Sequence, residues 1–164
     1  MAKYILHRKE ISSGRVTTFS EYAIVSENRA TRVPGDTSPE ICALMGCGLS
    51  TALGTLEREA ELKIGESLLV VGVGGLGCNL IKSGALMHAT PIVAMDIKIG
   101  KRSLAESMGA SVFATTWATL RHSLRMTGIT GFDVIVDTSG DTDAIRKSLT
   151  FLLPAGRFIM VGQP

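Results

Sequence analysis

Residues 67–77, SLLVVGVGGLG, constrain this chain more than any other stretch: an unbroken apolar run empties into glycines spaced G-x-G-x-x-G at Gly72, Gly74 and Gly77. A short run that is apolar on both faces predicts a strand covered by helices on each side, as in a parallel sheet. Residues 78–82 (CNLIK) contain no helix breaker, so a helix is predicted directly after the glycines. Its N-terminus would present unpaired N–H groups and a positive dipole end to whatever the turn holds. Gly72 suits the tight turn, Gly74 lets backbone approach a pyrophosphate, and Gly77 lets the helix close on the strand. Gly75 belongs to the same candidate phosphate-binding turn.

A glycine turn alone is weak evidence, because such turns also occur where nothing binds. The next predicted strand, residues 91–95 (PIVAM), adds weight by ending on Asp96, 19 residues past Gly77. That is close to the spacing of the acid that holds a ribose diol. A carboxylate there accepts from both ribose hydroxyls and repels a 2′-phosphate, so NAD is expected over NADP. Lys98, Lys101 and Arg102 just downstream leave NADP open. The competing reading makes Asp96 a solvated strand-end residue.

With 164 residues, 45% of them apolar, the chain can bury one proper core. A net charge of +2, without a basic stripe or interleaved aromatics, gives no reason to expect nucleic acid. Cys42, Cys47 and Cys78 are an odd number in a sequence without a signal-peptide pattern, so reduced thiols in a cytoplasmic setting are expected. The longest apolar stretch, residues 68–76, is too short and glycine-rich to cross a membrane, and no membrane association is expected.

In chain order, residues 1–14 show no clear period and read as a surface segment or a cut end. Residues 17–25 (TTFSEYAIV) partly alternate and predict a strand that reverses near Asn28. Residues 33–36 (VPGD) form a turn by composition, and Ser38-Pro39-Glu40 is a helix start. Residues 41–62 read as helix interrupted at Gly46 and Gly48. Then strands and helices alternate: strands at 91–95, 111–114, 132–136 and 157–161, with helices at 102–108, 117–126 and 142–153. Pro154 and Gly156 are expected to close the last helix. This alternation predicts an α/β fold, a doubly wound parallel (Rossmann) sheet of about five strands.

Residues 17–164 resemble the zinc-dependent medium-chain dehydrogenase/reductase family, which includes alcohol, polyol and threonine dehydrogenases. TFSEYAIVSENRATRVP is similar to the last strands of its GroES-like catalytic domain, GCGLSTALGTL to the crossover into its coenzyme domain, and LKIGESLLVVGVGGLG with AMDI to its first βαβ unit. The resemblance implies hydride transfer between an alcohol or polyol and a nicotinamide. It places Cys47 at one cysteine of the catalytic zinc site and Thr51 near the nicotinamide. Leu76 would pack behind that ring, and Asp96 and Lys101 would grip the adenosine ribose. Thr138 and Ser139 would line the adenosine side, with the backbone of Val161, Gly162 and Gln163 near the carboxamide. By its own chemistry a free cysteine such as Cys47 is most often a small buried apolar residue. Cys42 and Cys78, like His7, His88 and His122, keep that structural reading.

The departures from the family pattern are as informative. Nothing upstream of Cys47 supplies the other zinc ligands, the four-cysteine lobe of many members is absent, and no sixth strand follows residue 161. Residues 1–37 are therefore expected to be a remnant of the catalytic domain or a cut end, and 38–164 a truncated NAD-binding domain. Alone, the chain is expected to bind NAD weakly, to lack dehydrogenase activity and to bind little zinc. Since members of the family often pair through the sixth strand, the edge strand over 157–161 is also expected either to self-associate into a homo-oligomer or to be covered by the chain's own N-terminal segment. Three rivals remain: a zinc-free quinone or enoyl reductase domain, a methyltransferase-like Rossmann fold, and a non-catalytic nucleotide-binding module.

Overall fold

The computed structural model describes residues 3–12 and 21–163, and the chain divides into two compact units, Met1–Ser38 and Pro39–Pro164. In the smaller unit, β1 (Lys3–Leu6) pairs antiparallel with β2 (Lys9–Ser12). The sequence reading missed this hairpin. His7 and Arg8 make its two-residue connection with φ of 49° and 65°, a turn that Asn-Gly usually supplies, so the residue types carry no signal for it. Of the strand expected over 17–25, residues 17–20 lie outside the described residues, and 21–25 form no strand. Tyr22 and Ile24 are 90% and 99% exposed, so the alternation there marks no buried face among the described residues. A 3₁₀ turn, Glu27–Arg29, follows.

The larger unit opens with α1 (Pro39–Glu59), which starts at the proline that reads as a first helical position. The expected interruptions at Gly46 and Gly48 do not occur. The helix instead widens into π turns at Met45–Leu49 and Thr55–Glu59 and stays continuous. Glycine costs about 1 kcal/mol in a helix interior, but burial of Ala52, Thr55 and Leu56 outweighs that here. Gly48 also has a contact to satisfy, since a Cβ there would lie 3.1 Å from Asn79 Nδ2. By length and composition α1 is apolar enough to cross a membrane, contrary to the sequence expectation, because its hydropathy is high on average without an unbroken apolar run. Its inner face joins the same core as the sheet.

Five strands follow: β3 (Leu68–Val71), β4 (Ile92–Met95), β5 (Val112–Ala114), β6 (Phe132–Asp137) and β7 (Leu152–Met160). All are parallel, in the order β5-β4-β3-β6-β7. Helices α2 (Gly75–Leu86), α3 (Arg102–Met108), α4 (Trp117–Thr127) and α5 (Thr142–Leu149) connect them. Leu68, Val70, Ala94, Val134 and Val136 face the layer of α1 and α2, with Ala52, Leu56, Leu80 and Ile81. The alternate residues, Leu69, Val71, Val93 and Ile135, face Leu120 and Leu124 of α4. Burial on both faces is the reason these strands read as continuous apolar runs. The chain winds outward from β3 to β5 and then returns to β6. A crevice therefore opens at the carboxyl ends of β3 and β6, where doubly wound sheets bind ligands.

The last crossover departs from expectation. α5 ends at Leu149, and β7 begins at Leu152, ahead of Pro154 and Gly156. Those two residues lie in an irregularity where Phe132 pairs with Leu152 but Val134 pairs with Arg157. Proline and glycine are breakers by type, yet a bulged edge strand accommodates both.

At the opposite end of the sheet, polar side chains fix the register. Ser67 donates from its N–H and its Oγ to Asp133 Oδ2, at 2.9 and 2.7 Å, and Asp133 N–H donates back to Ser67 Oγ at 2.9 Å. Glu66 pairs with Arg157 and accepts the Lys63 N–H at 2.9 Å. The Ser67 hydrogen bonds hold the Asp133 carboxyl below its ordinary value. For Glu66, burial pushes upward, but Arg157 and the Lys63 N–H outweigh it and the net direction is down. A carboxyl with a depressed folded pKa adds stability above its unfolded value and loses it as pH falls through the folded one. Unfolding free energy should thus be insensitive to these groups above about pH 5 and fall below about pH 4. Denaturant titrations across that range should show a shallower acid limb in Asp133→Asn; an unchanged limb would exclude Asp133 from it.

Candidate functional site

The crevice is a cleft of about 740 Å³, within the usual size for small-molecule sites. Its floor is the glycine turn after β3. Gly72 has φ 93°, and a Cβ there would lie 2.6 Å from Thr138 Oγ1. Thr138 Oγ1 donates to the Val71 and Gly72 carbonyls at 3.1 and 3.0 Å, so the loop after β6 is tied to the turn after β3. Gly77 is buried where α2 crosses the strand end, and a Cβ there would meet Gly72 O at 1.9 Å. Gly74 and Gly75 are the opposite case: added Cβ atoms would meet no protein atom within 4 Å. The backbone is bare at that point because space is left in front of it.

Gly74 caps α2 with extended backbone and without a side-chain hydrogen bond to the first turn. The N–H groups of Gly75, Leu76 and Gly77 have no intrahelical partner by position. Open space, free donors and the positive dipole end coincide there, which suits an anion. The residues present fit the pyrophosphate of a dinucleotide.

Asp96 follows β4 directly. Its Oδ2 accepts the Val73 N–H at 2.8 Å and its Oδ1 the Lys98 N–H at 2.9 Å. It is therefore not a free solvated residue, since it clamps the glycine turn to the end of β4. Each oxygen keeps a second lone pair for a ribose hydroxyl. Lys98, Lys101 and Lys147 line the cleft together with Asp96, Asp141 and Asp143.

Asp137, at the end of β6, is fully buried. Its carboxylate accepts from Ser139 Oγ at 2.6 Å and Gly140 N–H at 3.0 Å, while its carbonyl accepts the Val161 and Gly162 N–H groups. One residue thus shapes both loops on that side of the cleft.

Of the residues singled out in the sequence, Gly72, Gly74, Gly75, Leu76, Asp96, Lys101, Thr138, Ser139, Val161 and Gly162 line the cleft. Gly77 lies buried beneath it. Cys47 and Thr51 do not line it: Cys47 is exposed on the first wide turn of α1, and Thr51 is half-buried. Among the described residues no group of three His, Cys, Asp or Glu side chains gathers to hold a metal ion. A catalytic zinc takes three protein ligands, so the described residues do not fit one. Burial pushes the Cys78 thiol upward, Lys101 works against that and Asp96 adds to it, and the net direction is up. Sequence reasoning missed Asp137, Trp117 and Lys147. A buried acid at a strand end was a signal for the first; nothing in the spacing marked the other two.

The family model described as zinc-binding dehydrogenase matches residues 72–164. The chain belongs to the zinc-binding dehydrogenase family. S-(hydroxymethyl)glutathione dehydrogenase of Synechocystis sp. is 34% identical over 95 residues, covering 58% of this chain and 26% of that protein. Alcohol dehydrogenase class-3 of Cereibacter sphaeroides is 28% identical over 142 residues, covering 81% of this chain and 38% of that protein. The solved alcohol dehydrogenase of Thermus sp. ATN1 superimposes with a TM-score of 0.72 at 29% identity, over 80% of this chain and 38% of that one. This zinc-binding dehydrogenase chain therefore spans well under half the length of these relatives, and the part it matches is the coenzyme-binding one.

Proposed function

We infer that the cleft binds NAD, and that the chain is the coenzyme-binding part of an oxidoreductase that moves a hydride between an alcohol or polyol and the nicotinamide. The observation that carries this reading is the bare backbone at Gly74 and Gly75, facing open space at the N-terminus of α2 beside Asp96. When bound, the coenzyme supplies the carbon that accepts or gives the hydride. The chain's own residues bind and orient it. The α2 N–H groups hold the pyrophosphate, while Asp96 and Lys101 hold the adenosine ribose. Thr138, Ser139, Val161 and Gly162 line the rest, and Leu76 backs the nicotinamide; Thr51, on α1 outside the cleft lining, does not hold it. Cys47 would supply at most one of the three donors that a catalytic zinc needs, and the described residues gather no others around it.

NAD is favoured because the Asp96 charge opposes a 2′-phosphate, although Lys98 and Lys101 offset part of that. Calorimetric titration of the chain should give tighter binding for NAD than for NADP. Asp96→Asn, which keeps an acceptor oxygen for one of its two N–H partners, should narrow that preference about tenfold, or about 1.4 kcal/mol. Equal affinity for the two coenzymes in the native chain would contradict the specificity assignment. Absence of binding to either would contradict the function.

A further inference from the structure

We propose that Trp117 is the platform on which the adenine base of the coenzyme stacks. The proposal rests on the coenzyme reading of the cleft. It follows from where the strands end: the turn after β3 suits the pyrophosphate and Asp96 after β4 suits the ribose. A base that continued in the same direction from that ribose would reach the end of β5, about 5 Å further per strand. The main chain joins these two ends, since Asp96 N–H donates to Ala114 O at 3.1 Å. Three residues beyond Ala114 stands Trp117, which lines the cleft. Ile97, 85% exposed, lines the same cleft from the end of β4. An exposed isoleucine just past β4 and a half-buried indole at the start of α4 both line the cleft and give it apolar surface for a flat ring.

The indole is held in place before any ligand arrives. Trp117 is the first residue of α4, behind the N-cap Thr116, whose side chain accepts the Thr119 N–H while Thr119 Oγ1 accepts the Thr116 N–H, each at 3.1 Å. That reciprocal cap fixes the backbone at which the side chain starts. The ring stacks on Phe151, with centroids 5.8 Å apart and planes 21° from parallel. The Arg121 guanidinium lies 5.4 Å from the Phe151 ring centre, extending the stack. A pre-ordered aromatic ring loses little freedom on binding a base, and base–aromatic stacking is worth about 1–3 kcal/mol per base.

Trp117 is the only tryptophan in the chain, so its fluorescence reports on this position alone. AMP, ADP-ribose and NAD should change the emission, whereas nicotinamide mononucleotide, lacking the adenine, should not. Trp117→Leu keeps apolar bulk against Phe151 but removes the π face. It should lower NAD and AMP affinity by about tenfold or more, following the stacking energies above, with the melting temperature as the check on folding. Trp117→Phe should recover most of that affinity. NAD bound equally well by the native chain and by both variants would overturn the platform and leave the coenzyme reading standing. No NAD binding by the native chain would overturn both.

Discussion

Gly77→Ala is expected to abolish coenzyme binding and to cost the fold several kcal/mol. The new Cβ would meet Gly72 O at 1.9 Å. That oxygen belongs to the backbone of the turn and already accepts Thr138 Oγ1, so it has nowhere to swing. α2 would have to lift from β3, drawing fully buried Leu80 and Ile81 with it. Overpacking of this kind typically costs about 1–3 kcal/mol; a clash with main chain belongs at the top of that range, or roughly 10 °C of melting temperature for a domain of this size. The informative comparison is Gly74→Ala. Its Cβ meets no protein atom and its φ of −87° suits alanine, so the melting temperature should stay within a degree or two. Coenzyme affinity should nevertheless fall, because the methyl group enters the space left for the phosphates. A Gly77→Ala chain that melts like the native one would show that α2 does not close on β3 as described. Unchanged NAD binding in Gly74→Ala would move the pyrophosphate elsewhere.

The second large effect is expected at Asp137. Alanine there removes the acceptor of Ser139 Oγ and Gly140 N–H from a residue with no exposed surface. Hydrogen bonds to charged groups contribute about 1.5–3 kcal/mol, and stranded donors add a desolvation cost. Asp137→Ala should therefore destabilise the chain by about 3 kcal/mol in urea titrations. Asp137→Asn, which keeps one carbonyl acceptor, should lose about half as much. Amide exchange offers a local reading, since Gly140 N–H should lose protection in both variants by more than residues of β4 do. Equal loss of protection in both places would assign Asp137 a general role in stability and none in shaping the loop.

How far the site was legible depends on whether each residue's role is local. Gly72, Gly74 and Gly77 could be read because a strand, a tight turn and a helix N-terminus are consecutive in the chain. Asp96 could be read because the length of one βα unit sets its distance from the turn. Trp117 could not, since its place in the cleft comes from the pairing of β5 beside β4, an event between segments. Nor did the sequence reveal that Asp96 also clamps the glycine turn, which depends on a bond from Val73, 23 residues away. Cys47 and Thr51 were placed by resemblance alone. Both lie outside the lining of the cleft, on a helix whose wide turns no residue type announced.

By itself the sequence determined the element types of the larger unit, its parallel winding and the glycine turn after β3, because period, glycine spacing and apolar runs are properties of consecutive residues. It misjudged the elements whose conformation goes against residue type. The β1–β2 hairpin turns without glycine or asparagine, α1 runs through three glycines, and β7 carries a proline and a glycine within its bulged strand. In each case contacts or pairing formed elsewhere outweigh a local preference of about 1 kcal/mol. Tertiary structure alone decided which side chains meet in the cleft. Convergence of the ends of β3, β4, β5, β6 and β7 depends on strand order, and strand order is a property of the packed sheet.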